Sequence, residues 1–196
     1  MSTDSTAAPD ALACSLGGER RHGKVSKAPH TKFLTLPMTF LNQRDCEALE
    51  HLAEAFHACP RPDHFTNFGH CEECAEHDET LRELTPGTLT IEIVGNPGWD
   101  PICFISPEGF AYFLPGLARL AFGDSFIGSY AAQLFWHLIS NGPNNERFMH
   151  CSEKQRCAVA KFVAYLIEAR ATEIEAEGAV DDAMRAFEIW SGNSGA

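Results

Sequence analysis

Long apolar runs are missing from this sequence of 196 residues. Nothing in it approaches the roughly 18 consecutive apolar residues that a membrane span needs. A basic start followed by an apolar stretch of the signal-peptide kind is also absent, and Ala11-Leu12-Ala13-Cys14 has no such stretch before it to make a lipoprotein cleavage site. Basic charge is scarce: 15 Lys and Arg stand against 27 Asp and Glu, a formal net charge of -12. The first 32 residues hold five of the basic and three of the acidic groups, so residues 33–196 carry 10 against 24, a formal -14. Such a body repels phosphates, which excludes nucleic acid and anionic membrane surfaces as expected partners. Gly-x-Ser-x-Gly, His-Glu-x-x-His, the phosphate-binding loop and the dinucleotide fingerprint are all missing, so no recognised catalytic set is present.

What is present in quantity is cysteine. Eight cysteines with no leader pattern read as reduced thiols in a cytoplasmic protein rather than as a disulfide framework. Two of them fall in the densest chemical stretch of the chain, His64-Phe65-Thr66-Asn67-Phe68-Gly69-His70-Cys71-Glu72-Glu73-Cys74-Ala75-Glu76-His77-Asp78. Cys-x-x-Cys with flanking histidines supplies thiolate and imidazole, the donors that suit zinc, whereas calcium or magnesium would call for oxygen. If residues 70–78 begin a helix, the 100° step gathers His70, Cys74 and His77 on one stripe with Cys71 beside it. If they form a loop, Cys71 and Cys74 make the knuckle that grips zinc. No second Cys-x-x-Cys follows, so the candidate ligands are Cys71, Cys74, His70, His77 and His64, with Cys59 and the His150-Cys151 pair further off. Read instead as a redox dithiol, the pair suffers from Glu72, Glu73 and Glu76, which push a thiol pKa up.

The rest of the chain sets the fold. Residues 1–32 have too few large apolar groups to offset the entropy of ordering them, and predict a disordered tail ahead of a single domain over 33–192. Helical spacing of Cys46, Leu49, Leu52 and Phe56 follows Asn42, a candidate N-cap, and stops at Pro60. Ser106-Pro107-Glu108 starts a second strong helix through Phe110, Phe113, Leu117 and Leu120, with Pro115 inside it. Tyr130 to Ile139 predicts a buried helix with His137 as a core histidine. Ser152 caps a long one running through Val159, Phe162, Leu166 and Ile174 to Gly178, and Val180, Met184, Phe187 and Trp190 trace a last amphipathic stripe. Between them, residues 88–93 alternate well enough for a short strand, with Ile102–Ile105 as its hairpin partner. The fold class is therefore mostly α, a single domain of five or six helices with one short β-hairpin near residues 88–105.

Phe122-Gly123-Asp124-Ser125-Phe126 has the letters of a GDSL-type esterase block. It follows a helix instead of a strand and has no late Asp-x-x-His, so it reads as a helix stop and loop.

Three stretches together resemble a bacterial family catalogued as a domain of unknown function: His70-Cys71-Glu72-Glu73-Cys74, Phe104-Ile105-Ser106-Pro107-Glu108-Gly109-Phe110-Ala111-Tyr112-Phe113-Leu114-Pro115, and Ser152-Glu153-Lys154-Gln155-Arg156 leading to Ala158 and Phe162. The resemblance implies a mainly helical fold and no particular activity. In many members of that family acidic or other polar residues stand where this chain has its cysteine pair, so the resemblance assigns the pair no role.

Two functional readings of different class follow. One is a non-catalytic binding or interaction protein, zinc-stabilised, with a protein or small-molecule partner. The other is a thiol- or metal-dependent enzyme that uses Cys71, Cys74 and the neighbouring histidines.

Overall fold

The computed structural model describes residues 41–123 and 129–192. The expected disordered tail over 1–32, and Asp124 and Ser125 of the expected loop, lie outside them. The described chain is mostly α: α1 (Gln43–Phe56), α2 (Glu72–Arg82), α3 (Ile91–Val94), α4 (Pro107–Ala121), α5 (Ala131–Ile139), α6 (Glu146–His150), α7 (Glu153–Ala169), α8 (Ala171–Ala176) and α9 (Val180–Trp190), with 3-10 turns at Pro101–Cys103 and Gly142–Asn144. None of its helices is long and apolar enough to cross a membrane.

Local chemistry sets the helix starts. The Asn42 side chain accepts from the Asp45 N–H while the Asp45 carboxylate accepts from the Asn42 N–H, a reciprocal capping box. Ser106 accepts from the Gly109 N–H with Pro107 at the first helical position, and Ser152 and Gln155 form a second capping box. α4 is central to the core of the described residues. It continues through Pro115, buries Phe110, Phe113, Leu114 and Leu117, and packs on α1, α5 and α6. At about 1.5–3 kcal/mol for each such side chain taken from water, this one helix supplies a large share of the hydrophobic stabilisation. α7 lies on α1 and α9, and α5 lies on α9.

Three details depart from the sequence pattern. The hairpin near residues 88–105 does not form. Ile91–Val94 is a single helical turn closed by Gly95 N–H to Ile91 O at 2.7 Å, and Asp100 caps the turn at Pro101–Cys103. The one bridge among the described residues pairs Thr66 with Ile105. The expected single helix after Ser152 breaks at Arg170, whose φ of -128° and ψ of 28° turn α8 so that Ile174 enters the core. On α9, Val180 and Met184 are half-exposed, and the buried side is Ala183, Ala186, Ile189 and Trp190. Small alanines let this helix pack on α5 and α7, and the Trp190 indole N–H, donating to the Leu138 carbonyl at 3.0 Å, anchors it.

Candidate metal and thiol site at the start of α2

The segment before α2 is tied down by one carboxylate. Asp78, buried on α2, accepts from the Phe65 N–H at 2.6 Å and the Thr66 N–H at 3.1 Å, and its other oxygen meets His64 Nδ1 at 2.7 Å. Burial alone would raise its pKa. These three bonds together outweigh burial and hold the carboxyl below the usual Asp value. The Thr66 hydroxyl donates to the Cys74 carbonyl at 2.7 Å, and the Ser106 N–H donates to the Phe65 carbonyl at 2.7 Å, which links the same segment to the start of α4. At the other end of α2, Arg61 donates to the carbonyls of Arg82 and Leu84. The helix is fixed at both ends.

Cys71 is the N-cap of this helix. Its backbone is extended, and its sulfur accepts from the Cys74 N–H at 3.4 Å. Cys71 Sγ and Cys74 Sγ are 3.3 Å apart, and Cys74 Sγ is 3.7 Å from His70 Nδ1. The three donor atoms all lie within 4.8 Å of one another. Cys71 and His70 face solvent, whereas Cys74 is 5% exposed. The two thiols differ accordingly. The Cys74 N–H first, then the Cys74 thiol and His70, hold the Cys71 pKa below its ordinary value. The Cys71 sulfur beside it, then burial, raise that of Cys74. The acids that the sequence set against the pair act on Cys74, through Glu73, and do not reverse the shift at Cys71.

Of the five sequence candidates, the fold brings three together and keeps two apart. His77 is buried between Phe104 and Trp99, with ring centroids at 4.8 and 4.7 Å; its Nε2 has no hydrogen-bond partner among the described residues and lies 3.8 Å from Glu73 Oε1. His64 spends Nδ1 on Asp78 and stacks on Phe68 at 3.8 Å. The helix begins at Glu72, so His70 approaches from the preceding turn and not from a shared helical stripe. Cys59 takes a hydrogen bond from Gln155 at 3.2 Å, and Cys151 is buried with its thiol pushed up to about 12 by desolvation.

A second cluster went unseen because Asp100-Pro101 reads as an ordinary turn. Asp100, Cys103 and His137 offer ligand-type atoms within 4.8 Å of one another. The Asp100 carboxylate is already full: it accepts from His137 Nε2 at 2.6 Å, Tyr130 Oη at 3.3 Å, the Gln133 amide and, at its other oxygen, the Ile102 N–H at 2.9 Å. Arg147 donates to the carbonyls of His137 and Ile102 and lies over the Phe110 ring. Desolvation and then the Asp100 charge raise the Cys103 thiol, which makes it a poor nucleophile. This network ties the 95–105 segment to α5 and α6. No family model, curated protein or solved structure matches the chain.

Proposed function

We propose that the chain is a zinc-binding interaction protein in which His70, Cys71 and Cys74 hold one zinc ion from three sides and leave its fourth position to a donor from a protein or small-molecule partner. The observation that carries this is the spacing of the three donor atoms. With Zn–S near 2.3 Å and Zn–N near 2.0 Å, a tetrahedral site has sulfur–sulfur and sulfur–nitrogen edges of about 3.5–3.8 Å. Two of the edges found are 3.3 and 3.7 Å, within about 0.5 Å of those values, and the third, between the Cys71 sulfur and a ring nitrogen of His70, is no longer than 4.8 Å.

The surroundings favour a partner over a small substrate held in a cleft. Grooves of about 500 Å³ occur against Tyr165 and Arg170, and against Arg61 and Arg82; neither is lined by His70, Cys71 or Cys74. The site stands on an open surface beside exposed Phe68, Glu72 and Glu76. An exposed aromatic side chain and exposed acids suit a partner that brings a donor atom together with positive charge.

Elemental analysis of reduced protein, purified without a metal-affinity step, is the test. About one zinc per chain, lost when Cys71 and Cys74 are both replaced by Ser, supports the proposal; less than about a tenth of an equivalent overturns it.

A further inference from the structure

We propose a second chemistry for the same pair when no metal is bound: Cys71 and Cys74 form a dithiol couple that reduces external disulfides, with Cys71 as the attacking thiol and Cys74 as the resolving one. The zinc reading is not required for this, because a metal ion and a disulfide each use both sulfurs and exclude one another.

Three geometric facts assign the roles. Cys71 is exposed and Cys74 is not, so an incoming disulfide of the glutathione class reaches only Cys71. The Cys71 sulfur is the N-cap of an 11-residue helix and accepts the Cys74 N–H at 3.4 Å, which fixes its place beside the second thiol. Behind it, the second sulfur waits at 3.3 Å, and closing to a disulfide of about 2.05 Å requires movement of a little over 1 Å.

The reaction balances in two exchanges. The Cys71 thiolate attacks one sulfur of R–S–S–R; the Cys71–S–R bond forms, the S–S bond breaks and R–S⁻ leaves. Cys74 then gives its proton to solvent. Its thiolate attacks the Cys71 sulfur, the intramolecular disulfide forms and the second R–S⁻ leaves. The dithiol loses two electrons, the external disulfide gains them, and the two released thiolates take up protons from solvent.

The test uses the full chain, reduced and stripped of metal with EDTA, and oxidised glutathione as the probe. Mass spectrometry of the peptide carrying both cysteines follows the products after acid quenching. Wild type is expected to lose two hydrogen atoms and to show a glutathione adduct only transiently, on Cys71. Cys74→Ser is expected to trap a stable adduct at Cys71, and Cys71→Ser to react at least about tenfold more slowly. Equal rates at the two cysteines, or a wild-type adduct that persists without closing, overturns the proposal. The order of adduct formation is also read on wild type, so a variant that misfolds does not block the test. Zinc content is measured on separate, unstripped protein, and each proposal can therefore fail alone.

Discussion

A β-carbon on Gly116 would stand 2.5 Å from the carbonyl oxygen of Pro86, so α4 rests directly on the backbone of the turn before residue 88. Replacing glycine by alanine inside a helix ordinarily gains about 1 kcal/mol. Here the obstacle is main chain, which cannot swing aside as a side-chain tip can. Gly116→Ala is therefore expected to destabilise by about 1–2 kcal/mol net in urea denaturation. Gly87→Ala, whose β-carbon meets nothing closer than Thr85 Oγ1 at 3.9 Å, should stay within about 0.5 kcal/mol of wild type. Equal stability of the two variants would contradict this packing.

Asp45 joins α1 to the far end of the chain. Fully buried, it accepts from Tyr165 Oη at 2.7 Å and Arg170 Nη2 at 3.2 Å besides closing its own capping box. Asp45→Ala should cost about 3 kcal/mol, since it strands a half-buried guanidinium and a cap together. Tyr165→Phe should cost about 1 kcal/mol. A loss below about 1 kcal/mol for Asp45→Ala would mean that the network is not formed in solution.

His137 gives the fold a pH dependence. Burial holds its pKa below the ordinary His value, against the hydrogen bond and charge of Asp100, which raise it. The unfolded chain takes up a proton near pH 6.5 that the folded one refuses. Stability is thus present in full above that pH and falls as the pH drops from 6.5 towards the depressed folded value, by at most about 1.4 kcal/mol per unit. Denaturation at pH 5 and 7 should show this slope in wild type and a smaller one in His137→Asn. Identical slopes would exclude His137 as its source.

Zinc should stabilise the chain by about 2.7 kcal/mol when free metal is a hundredfold above its dissociation constant, which raises Tm by about 5–10 °C. His70→Ala should abolish most of that gain. His64→Ala should keep it, because that imidazole is already committed to Asp78. A scan in which His64→Ala removes the metal effect and His70→Ala does not would move the site.

Iodoacetamide near pH 8 should label Cys71 before Cys103, and leave Cys151 untouched until the chain unfolds. The order follows from the lowered thiol at Cys71, the raised one at Cys103 and a buried thiol held at about 12. Early labelling of Cys151 would show that its surroundings open on the timescale of the reaction.

What could be read from the sequence was what depends on near neighbours. The caps at Asn42, Ser106 and Ser152 lie three residues from the N–H groups they satisfy, so spacing alone reveals them. The strand over residues 88–93 failed because a strand needs a distant partner, and Asp100 with Pro101 draws Ile102 into a 3-10 turn instead. On α9 the expected stripe holds at Phe187 and Trp190 and fails at Val180 and Met184, because large side chains were weighed above the alanines that permit close packing. At the site, Cys71 and Cys74 announced themselves by spacing. The capture of His64 by Asp78 and the enclosure of His77 between Trp99 and Phe104 are tertiary facts that no local pattern carries.

The partners of Asp45 sit 120 and 125 residues downstream of it. During synthesis at about 5–20 residues per second, α1 would therefore wait roughly 6–25 s on the ribosome before Tyr165 and Arg170 exist to receive it. Until then its carboxylate has only the cap at Asn42 for company and must stay in water. Arrested nascent chains that stop short of Arg170 should remain open to protease along α1, and chains released beyond α9 should not. The first of the described helices in sequence is thereby among the last to be locked in time.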